Sequence, residues 1–172
     1  MKIMSSMQKI NDLTKSTKDK QSLITVSEAW HLWGHLKDRY SVVYTTQILL
    51  NFAEDNDLKL VLKQGIKALQ KQIIELENLS GEYGITLPRK PPAESNSTVP
   101  IEGIDDIYIF RRVFRGIQAF VPVHTEAFLT STTTKVRQKF KQYLIEELDI
   151  YDKFVEYGKL KGFAFKPPAF RA

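Results

Sequence analysis

GITLPRKPPAESNSTVPIEG, residues 84–103, is the stretch of sequence that decides the predicted fold. It holds four prolines and lacks a helical spacing of apolar residues, so it is predicted to be an extended strap. About 20 extended residues can span ~65 Å at about 3.3 Å each. A helix of about 26 residues is only ~40 Å long, because each residue adds about 1.5 Å. The strap can therefore cross the full length of a helical domain.

Two amphipathic helices are predicted before the strap. The first begins at the capping box Thr25-Val-Ser-Glu28, in which each of the two end residues bonds the backbone of the other, and it ends near Phe52. The second follows the acidic segment AEDND and stops at Gly84. Acidic residues favour a helix start because they lie at the positive end of the helix dipole.

Two more helices are predicted after the strap. The third begins after Gly103, and the fourth runs from the Ser/Thr cluster at 131–134 to Gly158 or Gly162. Only a few residues join the two helices within each pair, so each pair is predicted to be an antiparallel hairpin. A long crossover between the second and third helices then predicts an all-α, antiparallel four-helix bundle with ferritin-like up-down-down-up connectivity. A repeat array of two separate hairpins is less favoured, because the halves share no internal period.

The chain is predicted to form one domain. Its 172 residues are enough to bury a core. Residues 1–21 are polar and lack a sustained apolar period, which predicts a flexible N-terminal arm. Residues 22–172 form the predicted bundle domain, including the strap at 84–103 and a proline-ended tail at 162–172.

Composition excludes several classes of protein. The chain has no cysteine, which excludes disulfides, thiolate metal sites and cysteine nucleophiles. The N-terminus lacks the apolar region of a signal peptide, and no apolar run reaches the length of a membrane span. We therefore expect a cytoplasmic protein without a membrane partner. The net charge of +5 is spread along the chain rather than clustered.

The predicted fold raises the question of a di-iron site, which needs inward Glu and Glu-x-x-His residues on facing helices. The only Glu-x-x-His is Glu28-Ala29-Trp30-His31, and helical spacing puts His31 opposite the apolar stripe. The second helix has no histidine. The sequence therefore predicts neither a di-iron centre nor a bound cofactor, and it contains no arrangement of residues typical of an enzyme.

Three histidines remain as candidate site residues. His31 and His35 lie one helical turn apart, as two ligands of a surface metal could, but a solvated or partner-facing helix side is the favoured interpretation. His124 falls in the apolar stripe of the third helix and is predicted to be buried. It could join Gln47 and Asn51 in a buried polar cluster, which is more often a structural network than a ligand pocket.

A candidate interaction surface combines basic and aromatic residues. Arginines are grouped on the third helix, and phenylalanines lie between the prolines of the tail: Arg111, Arg112, Arg115, Phe163, Phe165 and Phe170. A basic stripe near aromatics is one feature of nucleic-acid binding, although a solvated face is favoured here. The tail is predicted to pack back over the bundle, with docking onto a partner as the alternative.

Four passages of the sequence resemble one family. They are LITVSEAWHLW (23–33), FAEDNDLKLVLKQGIKAL (52–69), YGITLPRKPP (83–92) and KGFAFKPP (161–168). They are similar to uncharacterised ferritin-like proteins of endospore-forming bacteria, some of which carry a spore coat label. The resemblance covers about residues 22–170 and rests on helix starts and connections rather than on a catalytic signature.

The resemblance implies a function and a partner. The implied function is a non-enzymatic structural or interaction protein of the spore coat or of sporulation, and a small-ligand or metal-binding bundle is the alternative. Many relatives look like tandem duplications of this unit. A single copy is therefore expected to form a homodimer or to bind coat proteins.

Overall fold

The computed structural model describes residues 15–93, 102–165 and 167–170. These residues form helices and loops, with no strand among them, which confirms the all-α prediction. The helices are α1 (Thr17–Gln21), α2 (Val26–Phe52), α3 (Asn56–Glu82), α4 (Asp106–Thr130) and α5 (Thr134–Lys161). Within the described residues, none of these helices is both long and apolar enough to cross a lipid bilayer.

Local side-chain caps explain the starts of α2, α3 and α4, whereas α5 begins after Thr133 without a side-chain cap. The predicted capping box of α2 is confirmed: Thr25 Oγ1 accepts from the Glu28 amide at 3.2 Å, and Glu28 Oε2 accepts from the Thr25 amide at 2.8 Å. Asp55 and Asp105 cap α3 and α4 by accepting backbone amides at 2.8 and 2.7 Å. Each cap satisfies amides that have no partner within the helix.

The short helix α1 differs from expectation. Residues 1–21 were predicted to form a flexible arm, and Thr17–Gln21 within this segment form a short helix. The physical reason is a second capping box, in which Ser16 and Asp19 bond each other's backbone amides at 3.1 and 3.3 Å. Gln21 then donates to the Gly84 carbonyl at 3.4 Å. Residues 1–14 of the expected arm lie outside the described residues.

The four long helices pack as two hairpins, α2 with α3 and α4 with α5, which meet chiefly along α2 and α4. The amides of Glu54 and Asp55, in the α2–α3 turn, donate to Asp106 at the start of α4 at 2.8 and 2.9 Å. At the other end, the Thr133 amide in the α4–α5 turn donates to Glu28 at 2.6 Å. These contacts place the starts of α3 and α4 at the same end of the bundle, so the two helices run in the same direction. The strap that joins the end of α3 to the start of α4 must therefore travel along the bundle.

The described half of the strap lies along α2. It begins at Gly84, beside Gln21. It reaches Ala93, whose carbonyl accepts from Gln47 at 3.2 Å. Between these points, Lys90 forms an ion pair of 2.7 Å with Glu77. Residues 94–101 of the strap lie outside the described residues, and the ferritin-like connectivity stays a prediction.

Apolar and aromatic side chains pack the core at both ends of the bundle. One end of the bundle is packed by α2, α3 and α5 through the buried side chains Leu32, Leu36, Leu76, Leu79, Phe140 and Tyr143. At the other end Phe110 stacks on Phe154, with ring centroids 4.7 Å apart and planes 4° from parallel. Between these two ends the interior contains polar side chains and a cavity.

Candidate functional site

Four polar side chains meet in the interior of the bundle. His35 and Arg39 lie one turn apart on α2, His124 lies near the end of α4, and Glu147 lies in the middle of α5. They are 2%, 1%, 0% and 4% exposed, respectively. Charged groups are almost never buried this deeply unless they are paired. We call these four residues the central network.

Hydrogen bonds link the central network in one direction. His35 Nδ1 lies 2.8 Å from the His31 carbonyl oxygen, which can only accept, so His35 Nδ1 carries a proton and donates. At the other end, an Arg39 Nη2 hydrogen points to His124 Nε2 at 2.9 Å, and a guanidinium can only donate. His124 Nδ1 then donates to His35 Nε2 at 3.1 Å. Both imidazoles are therefore neutral and protonated on Nδ1.

Arg39 supplies the charge that balances Glu147. Arg39 Nη2 donates to Glu147 Oε2 at 2.9 Å, and the guanidinium lies 4.0 Å from the centroid of the Phe120 ring. Glu147 Oε2 and His124 Nε2 are 3.4 Å apart. Because His124 Nε2 carries no proton, it does not donate a hydrogen bond to Glu147. Both atoms instead accept hydrogen bonds from the same nitrogen, Arg39 Nη2. The buried site thus contains one cation and one anion.

The pKa values agree with these protonation states. Burial, followed by the neighbouring His124, lowers the pKa of His35 to about 3. Burial is also the main cause of the lowered pKa of His124. Burial opposes ionisation of Glu147, whereas the neighbouring cation Arg39 favours it, and the pKa of Glu147 lies below the usual value. Both histidines are therefore neutral and Glu147 is charged at neutral pH.

A second polar group joins α3 to α5 beside the central network. Gln72 Nε2 donates to Glu146 at 3.0 Å. The Tyr143 hydroxyl and Lys139 both donate to Glu75 at 3.2 Å. Burial, with Glu75 next in importance, raises the pKa of Tyr143. Long polar side chains therefore bridge these two helices.

A cavity of about 430 Å³ lies next to the central network. Its wall includes residues of all four long helices, and Arg39, Gln72, Phe120, Glu147 and Tyr157 belong to it. Among the described residues, three wall residues contain buried polar atoms without a hydrogen-bond partner: Arg39 Nε, Gln72 Oε1 and the Tyr157 hydroxyl oxygen. Buried polar atoms without partners are rare, so these three need an explanation.

The histidine pair on α2 is not a surface pair. His35 was expected on a solvated or partner-facing side, and this is wrong because it is buried against His124 and Phe140. His31 is half-buried, and its Nε2 lies 3.0 Å from Thr130 Oγ1. In the part of the chain that the structure describes, no three His, Cys, Asp or Glu residues are grouped to hold a metal ion.

The expected cluster of Gln47, Asn51 and His124 is not formed. His124 is buried as predicted, but it lies level with His35. Asn51 is 16 residues further along α2, or about 24 Å along the axis. Asn51 is exposed, and Gln47 bonds the strap at Ala93. The prediction failed because these two positions turn outward at the far end of α2.

The residues of the candidate interaction surface divide into two groups. Arg111 donates to the Phe163 carbonyl at 3.2 Å and lies 3.6 Å from the centroid of the Phe165 ring. Phe163 packs against Phe110 and Tyr157, with ring centroids 5.9 and 6.3 Å apart. This part of the tail therefore packs back on the bundle. Phe165 nevertheless stays 78% exposed, and the remaining residues of the set are exposed as well: Arg112, Arg115 and Phe170.

Sequence reasoning missed Arg39 and Glu147. Both occupy positions of an apolar stripe: Arg39 lies between Leu36 and Val43 on α2, and Glu147 lies between Tyr143 and Phe154 on α5. A lone charge within a stripe is a usable signal, because the side chain must find a partner when the helix packs. Without knowing how the helices pair, the sequence cannot identify that partner.

Comparisons with known proteins support the fold. The family described as "Protein of unknown function (DUF3231)" matches residues 11–172. The uncharacterized protein YvdQ of Bacillus subtilis (strain 168) is 24% identical over 145 residues, which cover 82% of this chain and 85% of YvdQ. The crystal structure of a "putative spore coat protein" (BH2358) from Bacillus halodurans C-125 aligns with a TM-score of 0.81 at 21% identity. The alignment covers 87% of this chain and 96% of that one.

Proposed function

Since the chain belongs to the DUF3231 family, we propose that it is a non-enzymatic structural or interaction protein of sporulation. On this proposal it is made in the cytoplasm and assembles into the spore coat. The spore coat label of the similar Bacillus halodurans protein supports this assignment. The resemblance of helix starts and connections to proteins of endospore-forming bacteria supports it as well.

The observation that carries the structural role is the way the central network uses its two imidazoles. Each ring nitrogen of His35 and His124 has a partner inside the protein. Both rings are buried and neutral, so they serve to hold α2, α4 and α5 in one arrangement. A catalytic histidine instead needs a pKa near the working pH and a nitrogen within reach of the substrate. Buried polar networks of this kind specify a unique packing.

Exposed apolar side chains support an interaction role. Trp30 is 64% exposed and stacks on Trp33, with ring centroids 5.6 Å apart. Val26, one turn before Trp30 on α2, is also exposed. Tryptophan is enriched in protein–protein interfaces, because it supplies a large apolar area and one hydrogen-bond donor. We propose that a second copy of the chain, or a coat protein, covers Trp30.

A fluorescent fusion in a sporulating host tests the coat assignment. The expected result is signal that appears during sporulation and collects around the forespore. Signal confined to vegetative cells would contradict it. Self-association is tested by size-exclusion chromatography with light scattering, where a dimeric mass is expected. Trp30→Arg should give a monomer, whereas Leu60→Arg, at a comparably exposed position on α3, should not.

A small-ligand-binding bundle is the second candidate function, and the cavity beside the central network favours it. Pockets for small molecules are usually apolar, contain a few polar groups and measure about 300–1,000 Å³. Metal binding is tested separately by elemental analysis of protein purified without an affinity tag. Stoichiometric iron, manganese or zinc would overturn the structural proposal.

A further inference from the structure

The cavity is elongated along the bundle axis. Glu147 and Tyr157 both belong to its wall and lie ten residues apart on α5, which corresponds to about 15 Å along the helix. Between them the wall is mainly aliphatic and aromatic, with side chains such as Leu62, Ile117 and Phe154. A chain-like apolar molecule matches this shape better than a compact one.

The cavity is open to solvent, because several of its wall residues are exposed. Gly65 and Ala68 belong to the wall and are exposed. No atom lies within 4 Å of a Cβ added at Gly65. The exposed part of the wall thus includes two small residues one turn apart on α3, together with Arg112 on α4 and Lys153 on α5. A molecule can therefore enter without unfolding of the bundle.

Two unpartnered atoms define the chemistry at one end. Arg39 Nε is a donor without an acceptor, and Gln72 Oε1 is an acceptor without a donor among the described residues. The orientation of the Gln72 amide follows from its partner, because the Glu146 carboxylate can only accept and must therefore face Nε2. Gln72 donates to Glu146, and the next residue, Glu147, accepts from Arg39. Gln72 and Arg39 therefore belong to the same end of the cavity. A group that satisfies both atoms must accept one hydrogen bond and donate another.

The charges at this end favour an uncharged group. Arg39, the one buried cation in the part of the chain that the structure describes, is already paired with Glu147. A carboxylate would add a second anion beside that pair, and an ammonium group would add a second cation beside Arg39. An extra buried charge without a partner is strongly unfavourable. Arg112 and Lys153 also belong to the wall, but both are exposed, so water solvates their charges.

We propose that this cavity binds an elongated apolar molecule whose neutral head group both donates and accepts hydrogen bonds, such as a primary amide or an alcohol. The head group lies between Arg39 Nε and Gln72 Oε1, and the apolar chain extends toward Tyr157. This inference deepens the ligand-binding candidate above and is independent of the location of the protein in the spore.

Isothermal titration of the full chain at pH 8 tests the proposal with four probes of equal chain length: decanamide, 1-decanol, decanoate and decylamine. Decanamide and 1-decanol should bind one per chain, at least tenfold more tightly than the two charged probes. If all four bind equally and in the cavity, the ligand-binding function stands and the head-group inference fails. If none binds, both fail.

Cavity-filling variants show where the probes bind. Gly116 belongs to the wall on α4, and no atom lies within 4 Å of an added Cβ, so the side chain of Gly116→Leu has room to begin and should extend into the cavity. It should weaken decanamide binding at least tenfold while circular dichroism shows an intact helical fold. Gly81→Leu on α3 is the matched control, since Gly81 has the same open surroundings but lies outside the wall. Equal binding to the two variants would overturn the assignment of the site.

Discussion

His35 and His124 meet edge to edge in the core, with ring centroids 5.0 Å apart, ring planes 26° from parallel and a hydrogen bond of 3.1 Å between His124 Nδ1 and His35 Nε2. They come from different hairpins, one from α2 and the other from α4. Because both imidazoles are neutral, the contact is a hydrogen bond between a donor and an acceptor rather than a repulsion between two cations. The contact between the hairpins therefore depends on the protonation of these rings.

Acid should destabilise the protein at a pH where carboxylates are still charged. The pKa of His35 is about 3 in the folded protein, compared with 6.5 for a histidine in the unfolded chain. Between these values the unfolded chain binds a proton that the folded chain does not, so the free energy of unfolding falls as the pH falls. For His35 alone the loss from pH 7.5 to 5.5 is about 1.4 kcal/mol. His124 acts in the same direction. Urea unfolding at the two pH values measures the loss.

Substitution separates the contribution of His35 from those of other groups. His35→Gln should reduce the difference between pH 7.5 and 5.5, because glutamine does not titrate. His31→Gln is the control, since His31 lies one turn away outside the central network, and it should leave the difference unchanged. A difference that is equal in the original chain and in His35→Gln would show that His35 is not held neutral.

Arg39 and Glu147 should be strongly coupled. Arg39→Met leaves a buried carboxylate without its cation and should cost about 3–5 kcal/mol. Arg39→Met combined with Glu147→Leu removes both charges and should cost less than the sum of the two single changes. A double-mutant cycle in urea measures this coupling. Lys159→Met, in the exposed Lys159–Glu156 pair of α5, should have no resolvable effect. Additive single effects would contradict a paired site.

Glu28 should contribute more to the stability of the fold than a helix cap alone does. Its carboxylate accepts from the Thr25 amide at 2.8 Å and from the Thr133 amide at 2.6 Å, so it ties the start of α2 to the α4–α5 turn. Glu28→Gln replaces one acceptor oxygen by a donor and should cost about 2 kcal/mol. Thermal unfolding measures the loss. Asp19→Asn, in the exposed cap of α1, is the control and should leave the melting temperature nearly unchanged.

Gly158 should not tolerate a side chain. It lies inside α5, where glycine is usually unfavourable, but a Cβ there would overlap the buried ring of Phe110. Gly158→Ala should therefore destabilise the protein by about 1–3 kcal/mol. Gly34→Ala on α2 is the matched control, because its Cβ would meet no atom within 4 Å. It should stabilise by about 0.5–1 kcal/mol. A rise in melting temperature for Gly158→Ala would contradict the packing described.

Much of the fold was predictable because its signals are local. The start of α2 at Thr25 and the end of α5 before Gly162 depend on groups within a few residues of each other. The buried positions of α3 also follow from the spacing of its leucines. The helix α1 was missed because the reciprocal cap of Ser16 and Asp19 has no apolar period around it.

The candidate site was less predictable, because the buried face of α2 was placed wrongly. The pair of His31 and His35 was expected on a solvated or partner-facing side of α2, whereas in the fold Leu32, His35 and Arg39 face the core. Several helix faces are apolar enough to be buried, and only the neighbouring helix selects one of them. The cavity has no signature in the sequence, since the glycines at positions 65 and 116 come from separate helices.

The sequence by itself determined the four long helices, their approximate ends and the length of the strap, because caps, periodicity and chain reach act between residues close in the chain. Only the tertiary structure decided that His35, Arg39, His124 and Glu147 meet, and that an open space lies beside them. Such partners are up to 108 positions apart, and their pairing depends on how two hairpins dock. That docking is decided by the packing of whole helix faces rather than by any local pattern.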